Sequence, residues 1–439
     1  MRLILGDGTK VNGVIHSVTL DKEKCKGCTK CIQLCPTQAI RVRNGKARII
    51  KEKCVDCGEC IRVCPYHAKK GVTDNFEIIN NFKYKIALPA PSFYGQFKKV
   101  EKTDAILNAL IKIGFDDCFE VAYAAQIISE ETKKLIDSGE LLKPTISSAC
   151  PAVVKLISIR FPNLLPNILP VISPMSLAGR LAKKIASQKT GLSQDEIGTF
   201  FISPCAAKAT DAKYPCGVDK SYIDGVFSVS DIYRKVLPFI SRKEDIEKLS
   251  KADFKGVCWA NSGGEVAALG RENVIAVDGI HNVVNILEEI ENDKLSDIEY
   301  AEILACTGGC TGGPLTVENS FVAQTKIRKL AKKLAPSEGF AGCDTDVMMN
   351  APIPYNKALG LDDDMVAAME KMKRMLEITD TLPGLDCGSC GAPTCRALAE
   401  DIVRGYAAKN ACIYNLKAKI LELAEGIEEF RGFNQNNKS

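Results

Sequence analysis

Histidine is almost missing from this chain. Only His16, His67 and His281 occur in 439 residues, so a reaction led by imidazole is excluded as the main chemistry. Charge of one sign is missing too, with 58 Lys and Arg against 54 Asp and Glu. That balance gives no footing for nucleic acid or an acidic membrane surface as partner. No run of roughly 18 uninterrupted apolar residues is present, which argues against a membrane-spanning helix. The opening residues, Met1-Arg-Leu-Ile-Leu-Gly-Asp-Gly, hold too short an apolar run for a signal peptide. The expectation is a soluble, cytoplasmic protein.

Cysteine is present in excess. Twenty cysteines in a small secreted chain would form disulfides, but this chain is long and shows no export signal. Sixteen of the twenty stand in spaced motifs beside Gly or Pro. Thiolates must therefore carry the chemistry.

With 46% apolar residues the chain can bury real cores, and three consecutive domains are expected. Residues 1–78 read as an α+β ferredoxin-like module, opening on a short strand pair with a turn at Gly6-Asp7-Gly8. Residues 79–376 read as a two-lobed α/β domain. Its apolar runs Lys85–Ala90, Thr199–Ser203 and Glu302–Ala305 predict buried parallel strands. They end in Pro, Gly or Cys, so a site is expected in the loops at strand ends. Residues 377–439 read as a small, mainly helical iron–sulfur domain with an amphipathic tail.

The first module carries its cofactor in its spacing. Cys25-x2-Cys28-x2-Cys31-x3-Cys35-Pro36 is repeated as Cys54-x2-Cys57-x2-Cys60-x3-Cys64-Pro65. Three thiolates at that spacing wrap one face of a [4Fe-4S] cube, and the fourth of each run ligates the other cube. One cube then takes Cys25, Cys28, Cys31 and Cys64, and the other takes Cys54, Cys57, Cys60 and Cys35. Zinc sites, by contrast, show separated pairs.

Three further loops bear cysteines: Ser147-Ser-Ala-Cys150-Pro151, Ser203-Pro-Cys205-Ala-Ala-Lys208, and Cys306-Thr-Gly-Gly-Cys310-Thr-Gly-Gly-Pro314. Each alone could hold a buried structural cysteine. Four soft thiolates converging would suit another cube. The glycines of the third loop are expected to admit close backbone approach to something bulky.

On these motifs, over residues 19 to about 375, the chain resembles the iron-only ([FeFe]) hydrogenases. The resemblance implies an H-cluster, a [4Fe-4S] cube bridged by one thiolate to a two-iron unit with carbonyl, cyanide and dithiolate ligands. Its ligands would be Cys150, Cys205, Cys306 and Cys310, with Cys310 bridging. Lys208 matches the family lysine that donates to one cyanide, and Pro91 with Ser92 matches the segment that contacts the other. Dihydrogen and protons would be the substrates. Ferredoxin or a signalling protein would be the redox partner, and hydrogenase maturation proteins would load the site.

Several positions depart from the family pattern. The family cysteine that relays protons beside the first ligand is Ala149 here. Along the same route the alignment gives Glu131, Lys134 and Leu169, and two methionines flanking the two-iron unit become Ser203 and Leu304. A lost relay is worth a factor of roughly 10² to 10⁴ in rate, and these losses resemble the branch of the family assigned to hydrogen sensing. Glu265 and Cys118 lie in segments that border the site in the family and are candidates for a substitute proton path. For Glu265 the plain alternative is a helix-start carboxylate favoured by the dipole. Cys216, Cys258 and Cys343 belong to no motif and read as buried small hydrophobes.

Cys387, Cys390, Cys395 and Cys412 resemble a small four-cysteine [4Fe-4S] domain, with zinc as the alternative. Thr394 through Asn410 predicts a helix, so Cys395 and Cys412 need a chain reversal to meet. Beyond them Ile413, Leu416, Ile420, Leu423, Ile427 and Phe430 form a heptad stripe. It either packs on the chain's own domain or serves a homodimer or an output partner. Two functional readings follow: a slow, sensory hydrogenase, or a hydrogenase-like iron–sulfur carrier or cluster-assembly factor without the two-iron unit.

Overall fold

The computed structural model describes residues 16–98, 100–240, 246–336 and 346–436. The expected turn at Gly6–Gly8 and Cys343 lie outside them. The chain divides into two compact units that interleave along the sequence. The larger comprises Met1–Thr19, Val55–Arg62 and Lys70–Asn356, and the smaller Leu20–Cys54, Val63–Lys69 and Lys357–Ser439. Side-chain burial explains the cuts. Val55 packs into the core of the larger unit, while Met375, which precedes residue 376, packs with Ile378 and Leu398.

In the larger unit the strands β1 (Tyr84–Pro89), β2 (Asp117–Cys118), β3 (Thr145–Ile146), β4 (Ile197–Ser203), β5 (Gly225–Ser228), β6 (Val274–Asp278) and β7 (Tyr300–Leu304) build two parallel sheets. Their orders are β2-β1-β4-β5 and β6-β7-β3. The three apolar runs read from the sequence become β1, β4 and β7. Every residue of β4 and β7 is buried, as parallel strands covered on both faces require. Helices α1 (Val121–Ser138), α2 (Pro151–Arg160), α3 (Pro174–Thr190), α4 (Ala206–Lys213) and the short α5 (Gly264–Leu269) follow or flank these strands. Among the described residues no helix is long and apolar enough to cross a membrane.

The smaller unit contains an antiparallel hairpin, Ile40–Arg43 with Lys46–Ile49. Asn44 and Gly45 turn it at φ 51° and 69°, the pair of left-handed residues that a two-residue hairpin favours. Helices α6 (Met365–Asp380), α7 (Cys395–Val403) and α8 (Ile413–Asn436) complete it. The expected helix to Asn410 stops at Val403, because Gly405 takes φ +77° and turns the chain back. The heptad stripe of α8 is solvent-exposed from Ile413 to Ile427, so packing on its own domain is not what it does.

A buried ion cluster ties the hairpin to α7. Arg41 and Arg43 both donate to Asp401, and Lys53 donates to Glu400 at 2.7 Å. Asp401 and Arg41 are almost fully enclosed. Removing one member of a buried set strands the others, at a cost of about 3–5 kcal/mol. Asp401→Ala is therefore expected to destabilise the smaller unit by about that amount in calorimetric unfolding. A loss of under about 0.5 kcal/mol, the range of ordinary surface substitutions, would show the cluster to be dispensable.

Candidate metal and active site

The parallel strands deliver the site from their C-terminal ends, where loops of such sheets gather ligands. Pro91 follows β1, Cys150 follows β3, Cys205 and Lys208 follow β4, and Cys306 follows β7. Cys150 and Cys205 occupy the N-cap positions of α2 and α4, where the helix dipole favours a thiolate. The four loop sulfurs are close enough to act on one another electrostatically. Cys306 and Cys310 both feel Cys150, and Cys205 feels Cys306 and Cys310. No disulfide joins any cysteines among the described residues.

Burial raises the thiols of Cys205 and Cys306 above their ordinary value and pushes Cys310 up to about 12. Lys208 stands among them, buried, with Nζ donating to Ala149 O at 3.0 Å. Burial works against its charge, but the sulfurs of Cys310, Cys205 and Cys150 and the carboxyl of Asp211 hold the ammonium above its ordinary value. A second cation, Arg62, donates to Cys306 Sγ at 3.4 Å and to Gly312 O at 3.2 Å. Sequence reasoning missed Arg62, which stands between Cys60 and Cys64 as an ordinary charged residue.

Beside these sulfurs lies a partly enclosed cavity. Cys310, Lys208, Ala149, Pro91, Leu304 and Glu265 all line it. Ser92, next to Pro91, is fully buried, and its hydroxyl has no hydrogen-bond partner among the described residues. Ser203 is not on this wall. Its hydroxyl turns back to Cys205, donating to Cys205 O at 2.8 Å and fixing the loop. Cys118 is absent from the wall as well: its thiol points to Leu107 O at 3.6 Å and packs in a separate apolar core. Glu131 pairs with Lys134 at 2.8 Å on α1, and Leu169 is part of the core.

The glycines of the third loop have a different reason from the one expected. A Cβ on Gly309 would lie 2.6 Å from Ser262 N, and those on Gly312 and Gly313 would strike the carbonyl oxygens of Thr307 and Pro204. Close approach of the chain to itself, at the neighbouring loops, is what demands glycine here.

Glu265 is buried in the first turn of α5. It accepts from Ser147 Oγ at 2.8 Å and from Tyr300 OH at 2.6 Å. Burial pushes its carboxyl above the ordinary value, against the pull of Tyr300, Ser147 and Lys208. A second carboxylate on the cavity wall, Glu302, accepts from Gly263 N at 2.9 Å and Val266 N at 3.0 Å. Burial and then the charge of Glu265 raise it too. The charge of Glu265 thus opposes ionisation of Glu302. The sequence held a signal for Glu302: an acid in the middle of an otherwise apolar, fully buried strand.

In the smaller unit Cys25, Cys28, Cys31 and Cys64 line one cavity. Burial and the other three sulfurs raise Cys31 to about 11. Backbone N–H groups of Ala47 and Ala68 point to Cys25 Sγ at 3.4 Å and Cys64 Sγ at 3.3 Å, as ligand sulfurs of a cluster require. Cys387, Cys390, Cys395 and Cys412 line a second cavity. Of the remaining set, Cys35 and Cys54 belong to the smaller unit and Cys57 and Cys60 to the larger. Cys216 and Cys258 pack in apolar cores.

Thiol sets of this kind on a doubly sheeted α/β scaffold define an iron–sulfur protein. Comparison with known proteins gives the family. The model "Iron only hydrogenase large subunit, C-terminal domain" matches residues 83–271 and 232–314. A 4Fe-4S dicluster domain matches 17–65, and an Fe-S cluster model matches 382–414. The periplasmic [Fe] hydrogenase large subunit of Nitratidesulfovibrio vulgaris is 31% identical over 367 residues, 68% of this chain and 86% of that protein. The "Probable cytosolic Fe-S cluster assembly factor oxy-4" of Caenorhabditis elegans is 24% identical over 271 residues, 50% of this chain and 58% of that protein. A solved [FeFe]-hydrogenase variant from Chlamydomonas reinhardtii aligns at 14% identity with a TM-score of 0.43, covering 57% of this chain and 83% of that one. That last likeness is too distant to carry an argument. The chain belongs to the iron-only hydrogenase family.

Proposed function

We propose that this chain is a slow hydrogenase, used to sense or regulate, in which Cys150, Cys205, Cys306 and Cys310 hold an H-cluster. The observation that carries this reading is the cavity beside Cys310, whose wall holds a buried lysine and a buried carboxyl. A structural cube alone needs no such space. The donor set fits the group, since soft thiolates suit iron and the cations Lys208 and Arg62 suit its negative charge. When bound, the two-iron unit supplies the splitting and formation of dihydrogen into two protons and two electrons.

The chain's own residues do the rest. Lys208 Nζ offers a hydrogen bond to an anionic ligand in the cavity, and the unpartnered Ser92 hydroxyl, next to the wall residue Pro91, is free to offer another. Pro91 and Leu304 keep water out. Glu265 takes or gives the proton in place of the missing thiol at Ala149, and Ser147 and Tyr300 hold its carboxyl in place. Electrons travel through the N-terminal and C-terminal cubes to a ferredoxin-like or signalling partner.

The rival reading, a cluster carrier or assembly factor, draws on Ala149 and on the likeness to oxy-4. One measurement separates them. After loading with a synthetic two-iron precursor, infrared spectra of the protein are expected to show carbonyl and cyanide stretches. Their absence from protein whose cubes are intact by electron paramagnetic resonance (EPR) would transfer the assignment to the assembly factor.

A further inference from the structure

In the smaller unit a single hydrogen bond joins the walls of the two cysteine-lined cavities. Val42 lines the cavity of Cys25, Cys28, Cys31 and Cys64, and its N–H donates to Gly391 O at 2.8 Å. Gly391 directly follows Cys390, which lines the cavity of Cys387, Cys395 and Cys412. At φ +78°, with its missing Cβ directed at Val42 O, Gly391 occupies a place that only glycine can take. Arg43 reinforces the contact by donating to Cys390 O at 2.9 Å.

A second observation concerns Lys69. It is 3% exposed and lines the first cavity, and its Nζ has no hydrogen-bond partner among the described residues. An ammonium buried without an acceptor is expensive, so whatever fills that cavity must repay it with negative charge. At the other cavity Arg43, the cation that acts on Cys390, shares Asp401 with Arg41 and is partly neutralised and half-exposed.

We propose that the C-terminal cube and the cube on Cys25, Cys28, Cys31 and Cys64 form one directly coupled redox pair, bridged by Val42 and Gly391, in which Lys69 holds the latter cube at the higher potential. The proposal rests on the iron–sulfur reading of both cavities. One electron crosses at a time: the donor cube goes from 1+ to 2+ as the acceptor goes from 2+ to 1+, with no bond broken and no proton moved. From Val42 on the wall of the first cavity one hydrogen bond leads to Gly391 and so to the ligand Cys390, leaving only the step from the first cube to Val42 across space. Lys69 stabilises the reduced cube because the added negative charge lies beside an uncompensated cation in a poorly screened site.

The test uses the full-length chain with its cubes reconstituted under anaerobic conditions. Metal analysis, EPR of the reduced protein and potentiometric titration are the readouts. Wild type is expected to show signals broadened by interaction between the two cubes. Cys395→Ala with Cys412→Ala should remove one [4Fe-4S] cluster and sharpen the signal of the first cube. Lys69→Met should keep full iron while the midpoint of the first cube falls and that of the C-terminal cube does not. Lys69→Arg should restore it. An unchanged midpoint in iron-replete Lys69→Met, or a first-cube signal indifferent to loss of the C-terminal cube, overturns the proposal. If the double cysteine variant loses zinc in place of iron, the iron–sulfur reading of that cavity fails and takes the proposal with it, an outcome that metal analysis alone identifies.

Discussion

Glu265→Gln is expected to lower hydrogen turnover by roughly 10² to 10⁴, the usual worth of a positioned acid–base group. Glutamine keeps the size of the side chain and can still meet Ser147 and Tyr300, but it cannot carry a proton. Ala149 offers no alternative, and Cys118 stands off the cavity wall. Glu302→Gln should cost less, because that carboxyl is committed to the N–H groups of Gly263 and Val266. Infrared bands in the variant should match wild type, so that a fall in turnover reports proton movement and not loss of the cluster. Unchanged turnover at every pH would sink the relay.

The same carboxyl sets a pH dependence whose sign can be worked out. Burial raises its pKa in the folded chain above the unfolded value. A group raised in this way contributes stability in full below its unfolded pKa, near 4.3 for glutamate. That contribution drains away as pH rises through the folded value. Glu265→Gln should therefore gain stability relative to wild type on the alkaline side and lose the advantage in acid. Hydrogen evolution, which needs the protonated acid, should weaken on the same alkaline side in wild type.

What the sequence made legible follows from how locally each feature is encoded. The strands β1, β4 and β7 were readable because a strand buried on both faces must be a continuous apolar run. The dicluster motif was readable because a cube fixes the spacing between neighbouring cysteines. The long-range facts were not. Glu302 belongs to the site only because β7 lies beside the start of α5. Arg62 and Lys69 look like ordinary surface charges until the fold sets Arg62 against Cys306 and encloses Lys69. The glycines of Cys306–Pro314 were recognised, but two of the contacts they make, with Ser262 and Pro204, lie far away in sequence. The stop at Gly405 was misread because the apolar pattern of α7 continues past it.

Lys208→Met should produce effects of opposite sign in the metal-free and the loaded protein. Without metal, burial keeps the thiols of Cys205, Cys306 and Cys310 protonated at neutral pH. Lys208 is then a buried cation that donates to Ala149 O, and burial pushes the carboxyl of Asp211 toward its neutral form, so methionine, of similar length and apolar, removes a desolvation cost and should leave stability unchanged or improve it. Loading ionises the four sulfurs. The lysine becomes the charge that opposes them, and losing it costs about 3–5 kcal/mol. At 1.4 kcal/mol per decade that is more than about 10²-fold weaker retention of the cluster. Arg62, bonded to Cys306, cannot replace it, because it meets a different sulfur. Melting curves of both forms, with iron release to a chelator, read the two signs directly, and hydrogen turnover should fall to background. A variant that retains iron and its infrared bands as wild type does would show that Lys208 balances nothing in the cavity.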